Sequence, residues 1–386
     1  MKDLKILFSI LIVFTFINTS NAQYVSGNSY YGANNYIEYI AGDMPIIFVA
    51  PHAGELEPAN LPDINTRGPD NGTMELAFFM VDSLHFKTGG CRPHMIINHL
   101  KACKLNPVFS ESDSIIAAGT HPEALQALNE FHNFIQIAYD QVTANWGKGH
   151  YFELHGNATT EEWNMIGLGL SKTYLNMPDS NIMTRVNHST IKNLCTVGGA
   201  DFLEVLKGPT SLGGMLDSLG WKSCTSPAYP SPPDSVTFFY AGQNTWRYGS
   251  RSSGTIDATH LESYWKFMVI PANRSKYSND LADVIIDFMN IYYDFNFNCQ
   301  GQGVNEAVNN SSSLKIYPNP IYPYDLLKIE TQNTINEVLI LNSNAQICRK
   351  SIGNGDININ DLAPGIYTLS IKMGSKKIKH HKLIIQ

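Results

Sequence analysis

The sequence PIIFVAPHAGE, residues Pro45–Glu55, decides the fold, because an uninterrupted apolar run ends abruptly in a proline, a histidine and a glycine. Such a run is typical of a strand that is buried on both faces of a parallel sheet. The sequence GHYFELHGN, residues Gly149–Asn157, repeats this pattern later in the chain. Sites in α/β sheets form beyond the carboxyl ends of the strands, so we expect His52 and His155 to lie at one edge of a shared sheet.

Residues 23–298 alternate between strand-like and helical segments. Strands are predicted at the short apolar runs PIIFVA (45–50), HMIINHL (94–100), YFELHG (151–156), SVTFFYA (235–241) and HLESYWKFMVI (260–270). Apolar residues at helical spacing predict helices over 120–146, where Thr120 and Glu123 form a capping box, and over 279–295. This alternation predicts an α/β domain with a mixed sheet flanked by helices.

The pattern of the sequence changes near the C-terminus. Residues 299–313, CQGQGVNEAVNNSSS, are polar and lack periodicity, which predicts a linker. Residues 314–386 consist of short strand patterns separated by turns and predict a small all-β sandwich. Residues 23–313 contain sixteen basic and twenty-eight acidic residues, whereas residues 314–386 contain nine basic and five acidic. This change of sign indicates two units of separate origin.

Residues 1–22 have the composition of a secretory signal peptide. Two lysines precede a short apolar stretch from Ile6 to Ile17, and the small residues Ser20 and Ala22 follow it. The apolar stretch is too short to span a bilayer, and no later segment is long and apolar enough to do so. The sequence therefore predicts an exported chain without a transmembrane segment after cleavage.

Charge, cysteine spacing and motifs exclude several classes of function. The formal net charge of -7 argues against a protein whose main task is nucleic-acid binding. No CxxC pair, GxSxG elbow or phosphate-binding glycine motif is present. Export permits disulfides, and Cys91–Cys103 and Cys195–Cys224 are plausible pairs, although the sequence leaves the connectivity open.

Two histidines and a carboxylate predict a metal site. Catalytic zinc commonly has three protein ligands, often two histidines and one carboxylate, and an open fourth position. One tight loop can present both His52 and Glu55, and His155 can supply the third ligand. Glu262, in a later strand-like segment, is the candidate for moving protons. Each residue alone also has a structural interpretation: His52 as a helix cap, Glu55 as a solvated loop charge and His155 as a hydrogen-bonded core histidine. Glu153, two residues before His155, is a competing ligand or a supporting partner.

Residues 46–262 resemble the N-formylglutamate amidohydrolase family, which is related in fold to the zinc carboxypeptidases. The segments that carry the resemblance are APHAGELEP (50–58), GPDNGTMELA (68–77), CRPHMIINHLKACKLNP (91–107), YFELHGN (151–157) and YAGQNTWRYGSRSSGTIDATHLES (240–263). The resemblance implies a phosphorylase/hydrolase-like fold and a Zn²⁺ ion held by His52, Glu55 and His155, with Glu262 as general base and acid. It also implies hydrolysis of an amide bond in a small N-acyl amino acid or peptide-like substrate.

The chain departs from this family at the end of one strand. Relatives have the form Arg-x-x-Asp-x-Asn-Arg there, whereas this chain has Lys101, Lys104, Asn106 and Pro107. A proline cannot grip a substrate carboxylate as a bidentate arginine does, so we expect substrate recognition to differ. The candidates for substrate binding are Lys101, Asn106 and Arg247. Lys101 is also a candidate for stabilising an oxyanion, and a surface salt bridge is an equally good interpretation of Arg247.

The C-terminal region resembles the type A sorting domain of type IX secretion substrates. The segments that carry this resemblance are LKIYPNP (314–320), INDLAPGIYTLSIK (359–372) and KIKHHKLIIQ (377–386). The resemblance implies recognition by the secretion machinery and a secreted or cell-surface location. A generic β-sandwich binding module is the alternative for this region.

Three functions are compatible with these patterns. An exported zinc amidohydrolase is favoured. A metallocarboxypeptidase acting on peptide ends requires a carboxylate anchor, which Pro107 does not supply. A non-catalytic surface binding protein on the same fold is the third, and metal content separates it from the two enzymes.

Overall fold

The computed structural model describes residues 24–297, Cys299 and most of residues 314–385, with gaps at 320, 322–324, 332–333, 342–346, 354, 364 and 374–376. The predicted signal peptide and residues 300–313 of the predicted linker lie outside the described residues, so the domain boundaries stay predictions. In the described part of the chain, no helix combines the length and the apolar character that crossing a membrane requires.

An eight-stranded sheet forms the centre of the larger unit. Its strands are β1 (Ser29–Tyr31), β2 (Ile37–Ile40), β3 (Ile46–Ala50), β4 (His94–Asn98), β5 (Gly149–Asn157), β6 (Asn164–Gly167), β7 (Ser223–Cys224) and β8 (Ile256–Tyr264). They lie in the order β1-β2-β4-β3-β5-β8-β6-β7. The four central strands β4, β3, β5 and β8 are parallel, whereas β2 and β6 join this block in the antiparallel direction. The predicted mixed sheet is confirmed.

Helices cover both faces of this sheet. They are α1 (Thr73–Lys87), α2 (Ser114–Ala118), α3 (Pro122–Trp146), α4 (Lys172–Leu175), α5 (Asp179–Met183), α6 (Lys192–Thr196), α7 (Phe202–Lys207), α8 (Leu212–Ser218), α9 (Gln243–Tyr248), α10 (Trp265–Val269) and α11 (Pro271–Tyr293). α1 and α11 contribute to one apolar core, and α3 contributes to the core on the opposite face. Strands β3 and β4 are fully buried between these layers, as expected for strands of a parallel block.

Four details of the predicted elements were wrong. The segment 235–241 forms no strand. It takes an irregular path near the end of β6, where the Tyr240 carbonyl accepts a hydrogen bond from the Gly169 N–H. The segment 260–270 leaves β8 after Tyr264 and turns into α10. His121 is the N-cap residue of α3 and makes no side-chain cap, so the capping box does not form. α11 begins at Pro271, earlier than predicted.

One disulfide joins Cys91 to Cys299, with a Cα–Cα distance of 5.4 Å and a sequence separation of 208. The two predicted pairs were wrong, because Cys103, Cys195 and Cys224 are free. The backbone N–H of Cys299 also donates to the Thr88 carbonyl at 2.9 Å. The end of the larger unit is therefore fastened to the turn that follows α1.

A buried polar network joins the amino-terminal ends of β5 and β8 to α11. The His150 Nδ1 and Nε2 atoms lie 2.9 Å from Tyr293 Oη and 2.8 Å from Thr259 Oγ1. Tyr293 Oη donates to Asp257 Oδ2 at 2.9 Å. Burial raises the pKa of Asp257 to about 6. This network fixes the ends of β5 and β8 that lie opposite the histidines discussed below.

The C-terminal region is all-β in its described part. Its strands are β9 (Leu314–Tyr317), β10 (Leu326–Thr331), β11 (Ile335–Leu341), β12 (Ile347–Ser351), β13 (Ile357–Asn358), β14 (Gly365–Met373) and β15 (Lys377–Ile385). They form antiparallel sheets in the orders β13-β10-β9 and β12-β11-β14-β15. Apolar residues of both sheets form one core cluster. The predicted β-sandwich is confirmed.

Candidate metal centre

His52 and His155 lie side by side at the carboxyl ends of two neighbouring parallel strands. His52 follows β3 by two residues. His155 lies near the carboxyl end of β5 and pairs with Glu262 of β8. The two imidazole rings have centroids 5.0 Å apart, and the residues are 1% and 2% exposed. The structure thus brings the two predicted histidines together in a buried position.

Asp70 completes this cluster. It lies in the loop before α1, where its N–H donates to the His52 carbonyl at 2.9 Å and its own carbonyl accepts from the Thr73 N–H. Its Oδ2 atom is 2.9 Å from His155 Nδ1 and 3.4 Å from His52 Nδ1. All three residues offer ligand atoms that lie within 4.8 Å of one another. They form the first candidate metal-binding group.

Glu55, the third ligand expected from the sequence, lies outside this cluster. The chain around it runs along the extension of β4, since the Leu56 N–H donates to the His99 carbonyl at 2.9 Å and Leu56 bridges to Leu100. A Cβ atom on Gly54 would lie 2.0 Å from the His99 carbonyl carbon, so the loop packs flat against this backbone. The Glu55 side chain is exposed as a result, and neither candidate group includes it.

Each histidine also has an oxygen atom near its other ring nitrogen. His52 Nε2 is 2.7 Å from Asn106 Oδ1, and His155 Nε2 is 3.6 Å from Glu153 Oε1. Histidines that bind metals usually direct their second ring nitrogen to such an acceptor, which fixes the tautomer and the ring orientation. Only the His52 contact is short enough for a hydrogen bond, so Asn106 orients His52, whereas Glu153 lies near His155 without bonding to Nε2. Both Nδ1 atoms face Asp70.

A second group continues from the first along β5 and β8. Glu153 pairs with His260 and His155 pairs with Glu262 in the register of these strands, so their side chains share one face. His260 Nδ1 is 3.5 Å from Glu153 Oε2, and His260 Nε2 is 3.1 Å from Glu262 Oε1. Sequence reasoning missed His260, although its spacing of two residues from Glu262 on a strand was a usable signal.

Glu153 is a completely buried carboxylate with several partners. The Thr245 hydroxyl donates to Glu153 Oε2, and Asn244 Nδ2 donates to Oε1 at 3.2 Å. Burial alone would raise the pKa of Glu153, but its contacts with His155 and His260 outweigh burial and hold this pKa well below its usual value. Glu153 therefore carries a negative charge behind His155.

Burial and mutual contacts shift the pKa values of the residues in this cluster. Burial would raise the pKa of Asp70, but the hydrogen bond with His155 and the close contact with His52 hold it well below its usual value. Burial lowers the pKa of His52; it acts in the same direction on His155, but Asp70 and Glu153 raise the pKa of His155 to about 10. The cluster thus combines two buried negative carboxylates with a protonated His155 and a neutral His52, and a metal ion would take the place of the His155 proton.

Two buried nitrogen atoms test whether these residues fit a metal ion. His52 Nδ1 and His155 Nε2 have no hydrogen-bond partner among residues 24–297. A buried polar atom without a partner costs roughly 1–3 kcal/mol. A cation between His52, Asp70 and His155 would satisfy the first of these atoms and neutralise the carboxylate, so the donor set fits a divalent metal.

The predicted substrate-binding residues have different surroundings. Lys101 forms an ion pair with Glu57 at the surface. The Asn106 side chain is engaged with His52. Arg247 is exposed, and its guanidinium lies over the Tyr248 ring at 5.2 Å from the centroid.

Residues 315–386 match the secretion system C-terminal sorting domain family. This match confirms the resemblance expected for the tail and defines the class of protein: an exported one, delivered by a secretion system to the cell surface or the medium. No curated protein sequence matches the chain.

Two solved structures are similar to this chain. The structure of gene product Atu2144 from Agrobacterium tumefaciens is 8% identical, covers 66% of this chain and 95% of its own, and has a TM-score of 0.42. The structure of N-formylglutamate amidohydrolase from Ralstonia eutropha is 9% identical, covers 66% of this chain and 96% of its own, and has a TM-score of 0.38.

Proposed function

We propose that this chain is an exported metal-dependent hydrolase that cleaves an amide bond in a small N-acyl or peptide-like substrate. The observation that carries the proposal is the convergence of the buried His52 and His155 with the half-buried Asp70 at the carboxyl edge of the parallel strands. Zinc is the proposed ion, because two imidazole nitrogens and one carboxylate oxygen are a common donor set for catalytic zinc. Asp70 takes the place that the sequence suggested for Glu55.

Glu262 is the proposed general base and acid. It lies beside His155 in the β5–β8 register, is 4% exposed, and its Oε1 is oriented by His260 Nε2 at 3.1 Å. A bound zinc ion would acidify a water molecule and polarise the substrate carbonyl. Glu262 would accept a proton from the attacking water and deliver it to the leaving amine.

Glu153 is less suited to this proton transfer than Glu262. Both of its oxygen atoms accept hydrogen bonds from Thr245 and Asn244, and its low pKa disfavours protonation. We assign Glu153 to the support of His155 and His260. Arg247 stays the proposed contact for the charged end of the substrate, whereas Lys101 is less favoured because it pairs with Glu57.

Metal content and hydrolysis test this proposal together. The purified protein is analysed for bound metals, and N-acyl amino acids and short peptides are screened for hydrolysis with and without a chelator. We expect about one zinc per chain and activity that the chelator abolishes. Glu262→Gln should keep the metal and lower kcat by about 10²–10⁴-fold, the usual contribution of a general base. A protein that binds no metal would support the non-catalytic binding function instead.

A further inference from the structure

A second set of potential metal ligands lies on the other side of the His155 ring from Asp70. It consists of Glu153, His155 and His260, here called the β5–β8 group. Each residue offers one ligand atom, these atoms all lie within 4.8 Å of one another, and the residues are 0%, 2% and 4% exposed. Glu153 is directly opposite His260 in the strand register, and His155 is two residues beyond Glu153. The pleat therefore places all three side chains on one face of the sheet.

The ligand atoms of the β5–β8 group have the spacing of a metal site. His155 Nε2 is 3.6 Å from Glu153 Oε1, and His260 Nδ1 is 3.5 Å from Glu153 Oε2. Both distances are longer than an ordinary hydrogen bond. Zinc binds nitrogen and oxygen atoms at about 2.0–2.2 Å, so the ligand atoms of a tetrahedral site lie about 3.4 Å apart. An ion between these atoms would therefore reach its ligands without moving the strands.

His155 presents an unused nitrogen atom to the β5–β8 group. His155 Nδ1 is 2.9 Å from Asp70 Oδ2, whereas Nε2 has no hydrogen-bond partner in the part of the chain that the structure describes. This unpartnered, buried nitrogen is an observation independent of the ligand spacing. A metal ion needs no open pocket beside it, because the ligand atoms themselves enclose the ion.

His260 is oriented as a metal-binding histidine is. Its Nε2 atom is 3.1 Å from Glu262 Oε1, which holds the ring proton on Nε2 and leaves a lone pair on Nδ1. Thr245 Oγ1 lies 3.4 Å from Nδ1, but Thr245 donates its single hydroxyl proton to Glu153. The side chains of His260 and Glu262 are each 6% exposed, so an ion can approach from their side.

We propose that Glu153, His155 and His260 form a second site for a divalent metal ion. His155 would then bridge two ions, with the ion of the proposed function at Nδ1 and the second ion at Nε2. Each ion takes the place of one ring proton, which leaves to solvent, so the bridging ring is an imidazolate. The inference rests on the proposed function for the first ion alone, because the ligands of the second ion include neither His52 nor Asp70.

The second ion should bind more weakly than the first. Two divalent ions bound to opposite nitrogens of one imidazole ring lie about 6 Å apart, and their repulsion in water corresponds to a factor of roughly 100 in affinity. The protein would therefore be purified with one ion and fill the second site only when metal is added. Because the second ion joins β5 to β8 in the native state, it should raise the unfolding temperature in a second step.

The test titrates Zn²⁺ into chelator-treated protein by calorimetry and follows thermal unfolding in parallel. We expect two binding steps in the wild-type chain, about 100-fold apart in affinity. His260→Ala should lose the weaker step and keep the tighter one, and the double variant that also carries His52→Ala should lose both. His188→Ala is the matched control, because His188 is an exposed histidine that stacks on Tyr174, and it should keep both steps.

A spectroscopic measurement on the wild-type chain keeps the inference testable if His260→Ala does not fold. Two Cu²⁺ ions joined by one imidazolate are magnetically coupled. The second equivalent of Cu²⁺ should therefore weaken the electron paramagnetic resonance signal of the first instead of doubling it. Additive signals from two uncoupled ions, or the same single Zn²⁺ step in the wild-type chain and in His260→Ala, would overturn the inference.

These outcomes differ from a failure of the proposed function. If a single ion binds and depends on His52 and Asp70 but not on His260, the second site is wrong and the proposed function stands. If a single ion binds and depends on Glu153 and His260 but not on His52, the β5–β8 site stands and the catalytic ion of the proposed function is wrong.

Discussion

Replacing Asn106 with alanine should weaken zinc binding, although Asn106 itself is not a ligand. His52 Nε2 lies 2.7 Å from Asn106 Oδ1, and the two residues are 1% and 9% exposed. The amide oxygen holds the proton on Nε2 and leaves Nδ1 free to face Asp70. Without it, the buried imidazole loses both its tautomer preference and its orientation.

The expected loss follows from the contact that disappears. Removal of an outer partner of a metal-binding histidine typically reduces metal affinity 10–100-fold. This factor corresponds to about 1.4–2.7 kcal/mol of binding free energy. The unpaired Nε2–H of buried His52 should also lower the free energy of unfolding by roughly 1–3 kcal/mol.

The assay titrates Zn²⁺ into chelator-treated protein by calorimetry and measures thermal unfolding in parallel. Asn106→Asp keeps an oxygen acceptor at the same position and should retain affinity within about threefold, whereas Asn133→Ala is an exposed control on α3 that should change nothing. If folded Asn106→Ala protein binds zinc as tightly as the wild-type chain, the role assigned to Asn106 is wrong.

Three further predictions address the ligands, the disulfide and a buried acid. Asp70→Ala and His155→Ala should each lose the bound zinc, whereas Glu55→Gln should keep it, as measured by metal analysis of the purified variants; zinc loss in Glu55→Gln would restore the sequence-based ligand set. Cys299→Ser opens the loop closed by the Cys91–Cys299 bond and should lower the free energy of unfolding by about 2–5 kcal/mol in urea titrations, and an unchanged midpoint would contradict this. Burial raises the pKa of Asp257 to about 6 from an ordinary value near 4, so the native state binds more protons between these pH values and stability falls as the pH rises through that window. The wild-type chain should therefore lose roughly 2–3 kcal/mol relative to Asp257→Asn between pH 4 and pH 7, measured by thermal unfolding, and parallel curves for the two proteins would refute the assignment.

The sequence predicted the parallel block and the convergence of its histidines because both depend on local patterns. The run before His52 is apolar at every position, and a strand of that composition has few alternatives to burial inside the sheet. The same logic placed His155 at the end of β5. The helical spacing of apolar residues was also sufficient to predict α3. The predicted capping box did not form, because His121 occupies the N-cap position.

The contact of Asp70 with the two histidines could not be predicted, because it depends on the path of two loops. Asp70 reaches His52 through one backbone hydrogen bond, and Glu55 turns outward through pairing with the backbone beyond β4. Neither contact leaves a periodic signal. The register between β5 and β8, which sets His260 opposite Glu153, is likewise a tertiary feature that spacing along one strand only suggests.

The Cys91–Cys299 crosslink also has a consequence for processing after export. It closes a covalent ring that contains α3, α11 and three of the four central strands, β4, β5 and β8, before the chain continues toward the sorting domain. A protease that cuts downstream of Cys299 would release the delivery module and leave this ring intact. A pulling force on the tail would likewise reach the sheet through the disulfide at the turn after α1, before it could separate α11 from the residues on which it packs.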